Sequence, residues 1–150
     1  MEQMEILLVE DDPRDVRLTM RELQSDRYNA RIELARDGAE ALDFLFCKGA
    51  YSERAADRPP KLVLLDLKLP KIDGLQVLRE VKGNPATQAI PVVILTSSKE
   101  EKDMIESYRL GVNSYIQKPV DFEQFRETIR TLGIYWVGVN QPPPDKTFAS

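Results

Sequence analysis

The sequence predicts an α/β fold in which a five-stranded parallel sheet is covered by helices on both faces. Five short apolar runs each precede a segment of helical period, and this alternation is typical of parallel sheets. The runs ILLV, LVLL and VVIL are continuously apolar, as strands buried on both faces should be. ARIELA alternates and SYIQ is half polar, so these two are predicted to form the edges of the sheet.

The predicted elements follow one another along the chain. The strands are expected at residues 5–9, 30–35, 61–66, 91–96 and 114–117. The helices are expected at residues 13–26, 38–47, 74–83, 99–110 and from 121 onward. Residue types that favour helix N-caps mark each helix start. These residues are Asp12, Asp37, Asp73, Ser97 or Ser98, and Asp121.

Two segments lie outside this alternation. Residues 47–60 are polar and end in two prolines, and because they exceed the usual connection length we expect an exposed loop. Residues 140–150 contain three consecutive prolines and are expected to form an extended or disordered tail. Residues 1–139 should then form one domain with an extended last helix, and too few residues follow Pro119 for a separate output domain.

The composition excludes several functions. With 21 Lys and Arg against 25 Asp and Glu, the net charge of -4 offers no basic field for nucleic acid or anionic lipid. The lack of histidine excludes Ser-His-Asp triads and His-ligated zinc. A single cysteine, Cys47, cannot form an intrachain disulfide, and the acidic amino-terminal residues do not resemble a signal peptide. No apolar run approaches the ~20 residues of a membrane span, so we expect a cytoplasmic protein.

Chemically active side chains follow four of the five predicted strands. The acidic residues 10–12 follow the first strand, and Asp66 ends the third. Thr96 ends the fourth strand, and Lys118 follows the fifth. Because the carboxyl ends of parallel strands meet at one edge, where open sheets bind ligands, we expect these groups to converge.

Crowded carboxylates at such an edge require a cation to offset their repulsion. A set of oxygen ligands favours a hard ion such as Mg²⁺, which Mn²⁺ could replace. An aspartate needs no deprotonation before it attacks phosphorus, which makes Asp66 the candidate nucleophile of a phosphoryl transfer. Lys118 and Thr96 are the candidate ligands of the phosphoryl oxygens.

Each group alone has a simpler interpretation. The acidic residues 10–12 and the hydroxyl residues 96–98 suit helix N-caps, and a lone Lys118 would be an ordinary solvated charge. Asp66 is harder to explain, because its apolar neighbours predict burial and an unpaired buried carboxylate is costly. The combination therefore favours phosphoryl chemistry.

The motifs LVEDD, LLDLKLPKIDG, VVILTSS and YIQKP stand in the order and spacing of the receiver domain of two-component response regulators. The chain resembles this family from residue 5 to about residue 132. The resemblance implies a flavodoxin-like (βα)5 doubly wound sheet with strand order 2-1-3-4-5. It also implies that Asp66 is phosphorylated and helps to bind Mg²⁺, together with Glu10, Asp11 and the backbone carbonyl of Lys68.

Further positions match the family by the same resemblance. Thr96 matches a switch hydroxyl, Lys118 a phosphate-binding lysine, and Tyr115 an aromatic residue that turns inward on activation. Pro119 matches a proline whose preceding peptide bond, from Lys118, is typically cis. The chain would thus be a signalling switch that takes a phosphoryl group from a sensor histidine kinase and catalyses its own phosphorylation and dephosphorylation.

The last helix and the residues after it carry more apolar surface than one small sheet can cover. Tyr and Trp are favoured interface anchors, so a homodimer through the last strand and helix is expected. The residues concerned are Phe122, Tyr135, Trp136 and Val137. The alternative is that this end folds back over the core. Together with the 47–60 loop, the tail resembles the small response regulators of bacterial phytochrome kinases, which makes light signalling a hypothesis.

Two other functions stay open. Haloacid-dehalogenase-like phosphohydrolases also form an aspartyl phosphate, but they place a second acid two residues after the nucleophile, where this chain has Lys68. A degenerate receiver that acts as a binding module would lack one or more site residues. All five are present, namely Glu10, Asp11, Asp66, Thr96 and Lys118.

Overall fold

A parallel five-stranded sheet forms the centre of the molecule, in a computed structural model that describes residues 4–24 and 27–149. The strands are β1 (Met4–Val9), β2 (Ala30–Ala35), β3 (Leu62–Leu65), β4 (Val92–Thr96) and β5 (Ser114–Gln117). Their order is β2-β1-β3-β4-β5. The predicted fold class, strand order and edge strands are therefore confirmed.

Four α-helices connect the strands, and a fifth follows the last strand. They are α1 (Pro13–Leu23), α2 (Gly38–Leu45), α3 (Gly74–Lys82), α4 (Glu101–Arg109) and α5 (Phe122–Gly133). A π-helical segment, Ile134–Val139, continues α5, and short 3₁₀ helices occupy Gly49–Tyr51 and Asp145–Phe148. Within the described ranges, no helix is long and apolar enough to cross a bilayer.

The helix starts show why the sequence signals worked in four cases and failed in one. The side chains of four predicted N-caps accept a hydrogen bond from a backbone N–H in the first turn. These residues are Asp12, Asp37, Asp73 and Asp121. The prediction for α4 is wrong, because its N-cap is Glu100 and not Ser97 or Ser98. The Ser98 hydroxyl instead donates to Asp103 inside the helix, at 2.6 Å.

The core consists of two layers, one on each face of the sheet. The first layer packs α2 and α3 on the sheet through residues such as Phe44 and Leu78, and we call it the α2/α3 layer. The second packs α1 and α5 through residues such as Leu23 and Ile129, and we call it the α1/α5 layer. Because β3 and β4 are buried along their whole length, their apolar runs drive folding and make a rigid support for whatever follows them.

The register of the sheet brings the strand ends together. Val9 pairs with Leu65, so the residues that follow β1 and β3 lie side by side. The segment after β3 turns back sharply onto α3, and a Cβ at Gly74 would lie 2.2 Å from the carbonyl oxygen of Asp66. Only glycine allows this approach, and it fixes the loop beside Asp66.

The 47–60 segment is mostly exposed, as its composition predicts, and it is also anchored to the body of the protein. The Arg54 guanidinium lies 3.6 Å from the centre of the Phe44 ring. It also donates to the Phe44 carbonyl oxygen and to Glu5 Oε1, each at 2.8 Å. Pro59 and Pro60 are buried. Arg54 therefore ties the segment to α2 and β1.

The tail also contacts the body of the protein. Lys61, which precedes β3, donates to Asp145 Oδ1 at 2.7 Å and to the Pro143 carbonyl oxygen at 3.2 Å. Phe148 packs against the α2/α3 layer. The prolines keep this segment out of the last helix, as predicted, but an ion pair and an aromatic contact hold it in place.

Candidate functional site

Three carboxylates meet at the carboxyl edge of the sheet. Glu10 and Asp11 follow β1, Asp66 follows β3, and one carboxylate oxygen from each lies within 4.8 Å of the other two. Glu10 and Asp66 are buried, whereas Asp11 is exposed. A set of carboxylate oxygens open to solvent on one side matches the ligand preference of a hard divalent cation. The structure therefore brings together the three predicted side-chain metal ligands.

Glu10 is the most constrained of the three acids. Its Oε2 accepts hydrogen bonds from the backbone N–H groups of Asp11 and Asp12, at 3.1 and 3.2 Å. Burial raises the pKa of Glu10 to about 7, with the Asp66 charge adding to the rise and Lys118 opposing it. The buried edge thus holds negative charge that one ammonium does not fully offset.

Lys118 supplies the positive charge of the site. Its Nζ donates to Glu10 Oε1 at 2.5 Å, to Asp15 Oδ2 at 2.9 Å and to Asp66 Oδ2 at 3.2 Å. Its backbone N–H donates to the Thr96 carbonyl oxygen at 2.7 Å, which fixes it beside β4. Burial opposes the charge, but Asp66 and the other acids outweigh it and raise the pKa of Lys118. Lys118 is therefore a buried cation held by three carboxylates.

Asp66 contacts the backbone of the segment that follows β3 and the ammonium of Lys118. Its Oδ1 accepts a long hydrogen bond of 3.4 Å from the backbone N–H of Lys68, and its Oδ2 contacts Lys118. The Lys68 ammonium points elsewhere and lies 3.6 Å from Asp103 Oδ2. Each oxygen of Asp66 therefore accepts a hydrogen bond, one from a backbone N–H and one from an ammonium.

Thr96 is fully buried and belongs to a chain of polar contacts. The backbone N–H of Ser98 donates to Thr96 Oγ1 at 3.3 Å, and the Ser98 hydroxyl donates to Asp103 Oδ2 at 2.6 Å. Asp103, in the first turn of α4, was not predicted from the sequence. Its signal was slight, because an acid in the first turn of a helix is ordinary. The contacts join Thr96 to α4.

Tyr115 lies beside this chain of contacts. Its hydroxyl is buried and has no hydrogen-bond partner of normal geometry among the described residues. The nearby Ser98 hydroxyl is already committed to Asp103. Burial raises the pKa of Tyr115, and the charge of Asp103 contributes to the rise. The side chain thus faces inward, with an unsatisfied polar atom close to the predicted switch.

The peptide bond between Lys118 and Pro119 is trans, so the predicted cis bond is wrong. The trans form is favoured by about 0.5–1 kcal/mol for an X-Pro bond. In this conformation the Lys118 ammonium already reaches three carboxylates. A cis bond is therefore not needed to aim the lysine.

The predicted interface residues differ in exposure. Phe122 and Tyr135 are 58% and 50% exposed. Trp136 and Val137 are half-buried against the α1/α5 layer, and the Trp136 ring meets the Tyr135 ring edge to face at 5.1 Å. A surface groove of about 420 Å³ runs beside them, lined in part by Ile116 and Leu132. This end of the chain therefore folds back in part and leaves an apolar surface open.

Comparison with known proteins gives one family. The family model of the response regulator receiver domain matches residues 6–130. The probable methanogenesis regulatory protein FilR2 of Methanothrix harundinacea is 42% identical over 138 residues, which cover 92% of this chain and 86% of FilR2. Response regulator Rcp1 of Synechocystis is 40% identical over 132 residues, which cover 88% of each chain.

Solved structures agree with these relatives. The Mn²⁺-bound form of Rcp1 matches with a TM-score of 0.90 and 38% identity, over 94% of this chain and 99% of Rcp1. The phosphorylated cyanobacterial phytochrome response regulator RcpA matches with a TM-score of 0.90 and 36% identity, over 95% of this chain and 100% of RcpA. The likeness extends over nearly all of each chain.

Proposed function

Because this chain belongs to the response regulator receiver domain family of two-component signalling, we propose that Asp66 is its phosphoacceptor. The observation that carries the proposal is the position of Asp66. It is a buried carboxylate at the end of a buried strand, 3.2 Å from a buried ammonium and next to two further acids. A group in these surroundings is poised to receive a phosphoryl group and to keep it away from bulk water.

The chemistry requires little of the protein beyond placement and charge. As an oxygen of Asp66 bonds to phosphorus, the P–N bond of a kinase phosphohistidine breaks and its electron pair returns to the imidazole. Lys118 Nζ and the Thr96 hydroxyl would then bind phosphoryl oxygens. The protein is a signalling switch, and we propose that it catalyses its own phosphorylation and dephosphorylation.

The residues present fit a divalent metal, and we propose Mg²⁺, with Mn²⁺ able to replace it. Carboxylate oxygens of Glu10, Asp11 and Asp66 would hold the ion with the backbone carbonyl of Lys68. Bound there, the ion would neutralise charge on the phosphoryl oxygens. The Mn²⁺-bound structure of Rcp1 supports a divalent ion in the family.

The polar contacts around Thr96 support a route for the switch. Phosphorylation turns the single negative charge of the Asp66 carboxylate into the charge of about -2 of an acyl phosphate, which would draw the Thr96 hydroxyl towards it. This movement would break the contact between Thr96 Oγ1 and the Ser98 backbone and would disturb the Ser98–Asp103 hydrogen bond. The first turn of α4 and Tyr115 would respond, because both lie against this chain of contacts.

The kinase that phosphorylates this chain is proposed from its relatives. RcpA is a cyanobacterial phytochrome response regulator, and this chain matches it over almost its whole length. We therefore propose a phytochrome-type histidine kinase as the partner and a cytoplasmic location. FilR2, which is about as similar to this chain, is named for the regulation of methanogenesis. The rates at which different candidate kinases phosphorylate this chain are therefore the deciding measurement.

We further propose a homodimer through β5, α5 and the π-helical segment. The groove beside Trp136, with half-exposed Tyr135 and Phe122 nearby, supports it. Residues 1–139 would form the receiver, and residues 140–150 a tail attached to it. Light scattering should show a dimer that Tyr135→Ala weakens and that Tyr108→Ala, at an exposed aromatic on α4, leaves intact. Equal monomeric masses for all three proteins would contradict the dimer.

The phosphoacceptor is tested with Mg²⁺ and acetyl phosphate as the phosphoryl donor. The wild type should gain one base-labile phosphoryl group, detected by mass spectrometry, and Asp66→Asn should gain none. Asp57→Asn, at an exposed acid in the 47–60 segment, is the matched control and should label as the wild type does. An undiminished label in Asp66→Asn would refute the assignment. A phosphohydrolase is not favoured, because Lys68 occupies the position of its second acid.

A further inference from the structure

Asp15 is an acid of the site that the predicted phosphorylation chemistry does not use. It lies in the first turn of α1, and its Oδ2 accepts a hydrogen bond of 2.9 Å from Lys118 Nζ. Its side chain is 23% exposed, whereas the Lys118 side chain is 7% exposed. Asp15 lies outside the cluster of Glu10, Asp11 and Asp66 whose oxygens would hold a metal.

The contacts of Lys118 show what Asp15 does to the ammonium. An ammonium has three donors, and here each faces a different carboxylate. The contact with Asp66, at 3.2 Å, is the longest of the three, so the lysine is held closer to Glu10 and Asp15. A phosphoryl oxygen on Asp66 could therefore accept a hydrogen bond from Lys118 only if Glu10 or Asp15 gave one up.

Glu10 and Asp15 differ in what happens when the site is loaded. Glu10 is a candidate metal ligand, so a bound cation would draw its charge away from Lys118. Asp15 lies outside this cluster of candidate metal ligands among the described residues, so its charge would still face the ammonium when a cation is bound. It is then the carboxylate that still competes with the phosphoryl group for Lys118.

We propose that Asp15 is a positioning residue for phosphoryl transfer, because it holds one donor of Lys118 and competes with the phosphoryl oxygens for that ammonium. The proposal rests on the proposed function of Asp66. Asp15 lowers the affinity of the site for a phosphoryl group and shortens the lifetime of the aspartyl phosphate. The switch would therefore reset faster than one in which Lys118 faces only Asp66 and the metal ligands.

The test uses beryllofluoride, a stable phosphoryl mimic, with the full chain in saturating Mg²⁺. Calorimetric titration of Asp15→Asn should show beryllofluoride binding about three- to fivefold tighter than in the wild type, the range for a partly exposed ion pair. Asp15→Glu, which keeps the carboxylate, should return the affinity towards that of the wild type. Asp57→Asn removes a charge of the same sign from an exposed residue of the 47–60 segment, and it should change nothing.

A second readout separates competition from a structural role. The affinity of Asp15→Asn for Mg²⁺ alone should change by less than about twofold, because Asp15 is not a ligand. Unchanged or weaker beryllofluoride binding in Asp15→Asn would overturn the proposal, as would parallel losses of Mg²⁺ and beryllofluoride affinity. If the wild type itself bound no beryllofluoride, the function of Asp66 would fail first, and the two failures are thus distinguished.

Discussion

Two lysines at opposite ends of the sheet have similar surroundings and different partners. Lys118 follows β5 at the carboxyl edge, and its ammonium donates to three carboxylates. Lys82 ends α3 near the starts of β4 and β5, and its ammonium also has three acceptors. They are the carbonyl oxygens of Gln88 and Ile90, at 3.0 and 2.7 Å, and Asn113 Oδ1, at 3.1 Å. Lys118 is buried and Lys82 is half-buried, but only Lys118 faces negative charge.

The difference in acceptor charge separates a functional cation from a structural one. Neutral oxygens do not offset the loss of water, and burial lowers the pKa of Lys82 to about 8. Carboxylates more than offset it, and the pKa of Lys118 is raised. The neutral acceptors of Lys82 are parts of the backbone and a neighbouring amide, and they cannot leave. Two of the carboxylates around Lys118, those of Glu10 and Asp66, are candidate metal ligands and so have an alternative partner, which lets this cluster exchange its contacts during a reaction.

The largest expected effect follows from removing the cation of the functional cluster. Lys118→Met leaves three carboxylates without their ammonium, and it should lower the free energy of unfolding by about 3 kcal/mol in the absence of metal. Saturating Mg²⁺ should restore a large part of this loss by replacing the missing charge. Urea unfolding with and without Mg²⁺ measures both values. An equal loss in both conditions would show that Mg²⁺ does not replace the charge of Lys118 in this cluster.

The pH dependence of the free energy of unfolding tests the carboxylates of the functional cluster. The pKa of Glu10 is about 7 in the folded protein against an ordinary value of 4.5, so the folded state binds this proton more tightly. The resulting stability is complete below pH 4.5 and is lost as the pH rises through about 7. Relative to Glu10→Gln, the metal-free wild type should lose roughly 3 kcal/mol of unfolding free energy across this window.

Metal should reverse this pH trend, because binding selects the ionised carboxylate. With saturating Mg²⁺, the wild type should gain stability relative to Glu10→Gln as the pH rises over the same window. Thermal unfolding at a series of pH values compares the two proteins in each condition. A flat difference in the metal-free series would contradict the assigned role of burial at Glu10.

Lys82→Met is the matched change at the structural lysine. It removes three hydrogen bonds to neutral acceptors, two of them backbone carbonyl groups, and should lower the free energy of unfolding by about 1–2 kcal/mol. This loss should be the same with and without Mg²⁺, and phosphorylation by acetyl phosphate should proceed at the rate of the wild type. Any dependence of the loss on Mg²⁺ would break the distinction between the two lysines.

The smallest expected effect concerns a third lysine, Lys61, whose acceptors are intermediate between those of Lys118 and Lys82. Lys61 has one charged acceptor, Asp145, and one neutral acceptor, the Pro143 carbonyl oxygen, and the Asp145 side chain is 38% exposed. Because solvent screens this pair, Asp145→Asn should lower the free energy of unfolding by only about 0.5 kcal/mol. The loss should shrink in high salt, which urea unfolding at two ionic strengths would detect. A salt-independent loss would point to packing of the tail instead.

The sequence predicts most of the fold because its signals are local and agree with one another. The apolar runs locate the strands, and capping aspartates locate four helix starts. The strand ends then predict which side chains converge, since topology alone brings Glu10, Asp66 and Lys118 to one edge. The family resemblance adds the strand order. In each case a short stretch of chain contains the information.

The failures concern side-chain contacts that no local or periodic pattern encodes. The 47–60 segment is mostly exposed, as its composition predicts, but no local pattern reveals that Arg54 stacks on the Phe44 ring of α2. Asp103 becomes buried because Ser98 turns towards it and no longer caps the helix. Asp15 could have been found from helical spacing. It stands four residues after Asp11, and the first turn of α1, which contains it, lies at the same edge of the sheet.

The attachment of the tail at Lys61 has a practical consequence for labelling. Lys61 precedes β3 and Asp66 follows it, so at about 3.3 Å per residue the two ends are roughly 16 Å apart. A spectroscopic probe attached at Thr147, after replacement of the free Cys47, would sit at the far end of the strand that bears Asp66. Such a probe would report on phosphorylation from the amino edge of the sheet, and it would leave the carboxyl edge, where the kinase must approach Asp66, unobstructed.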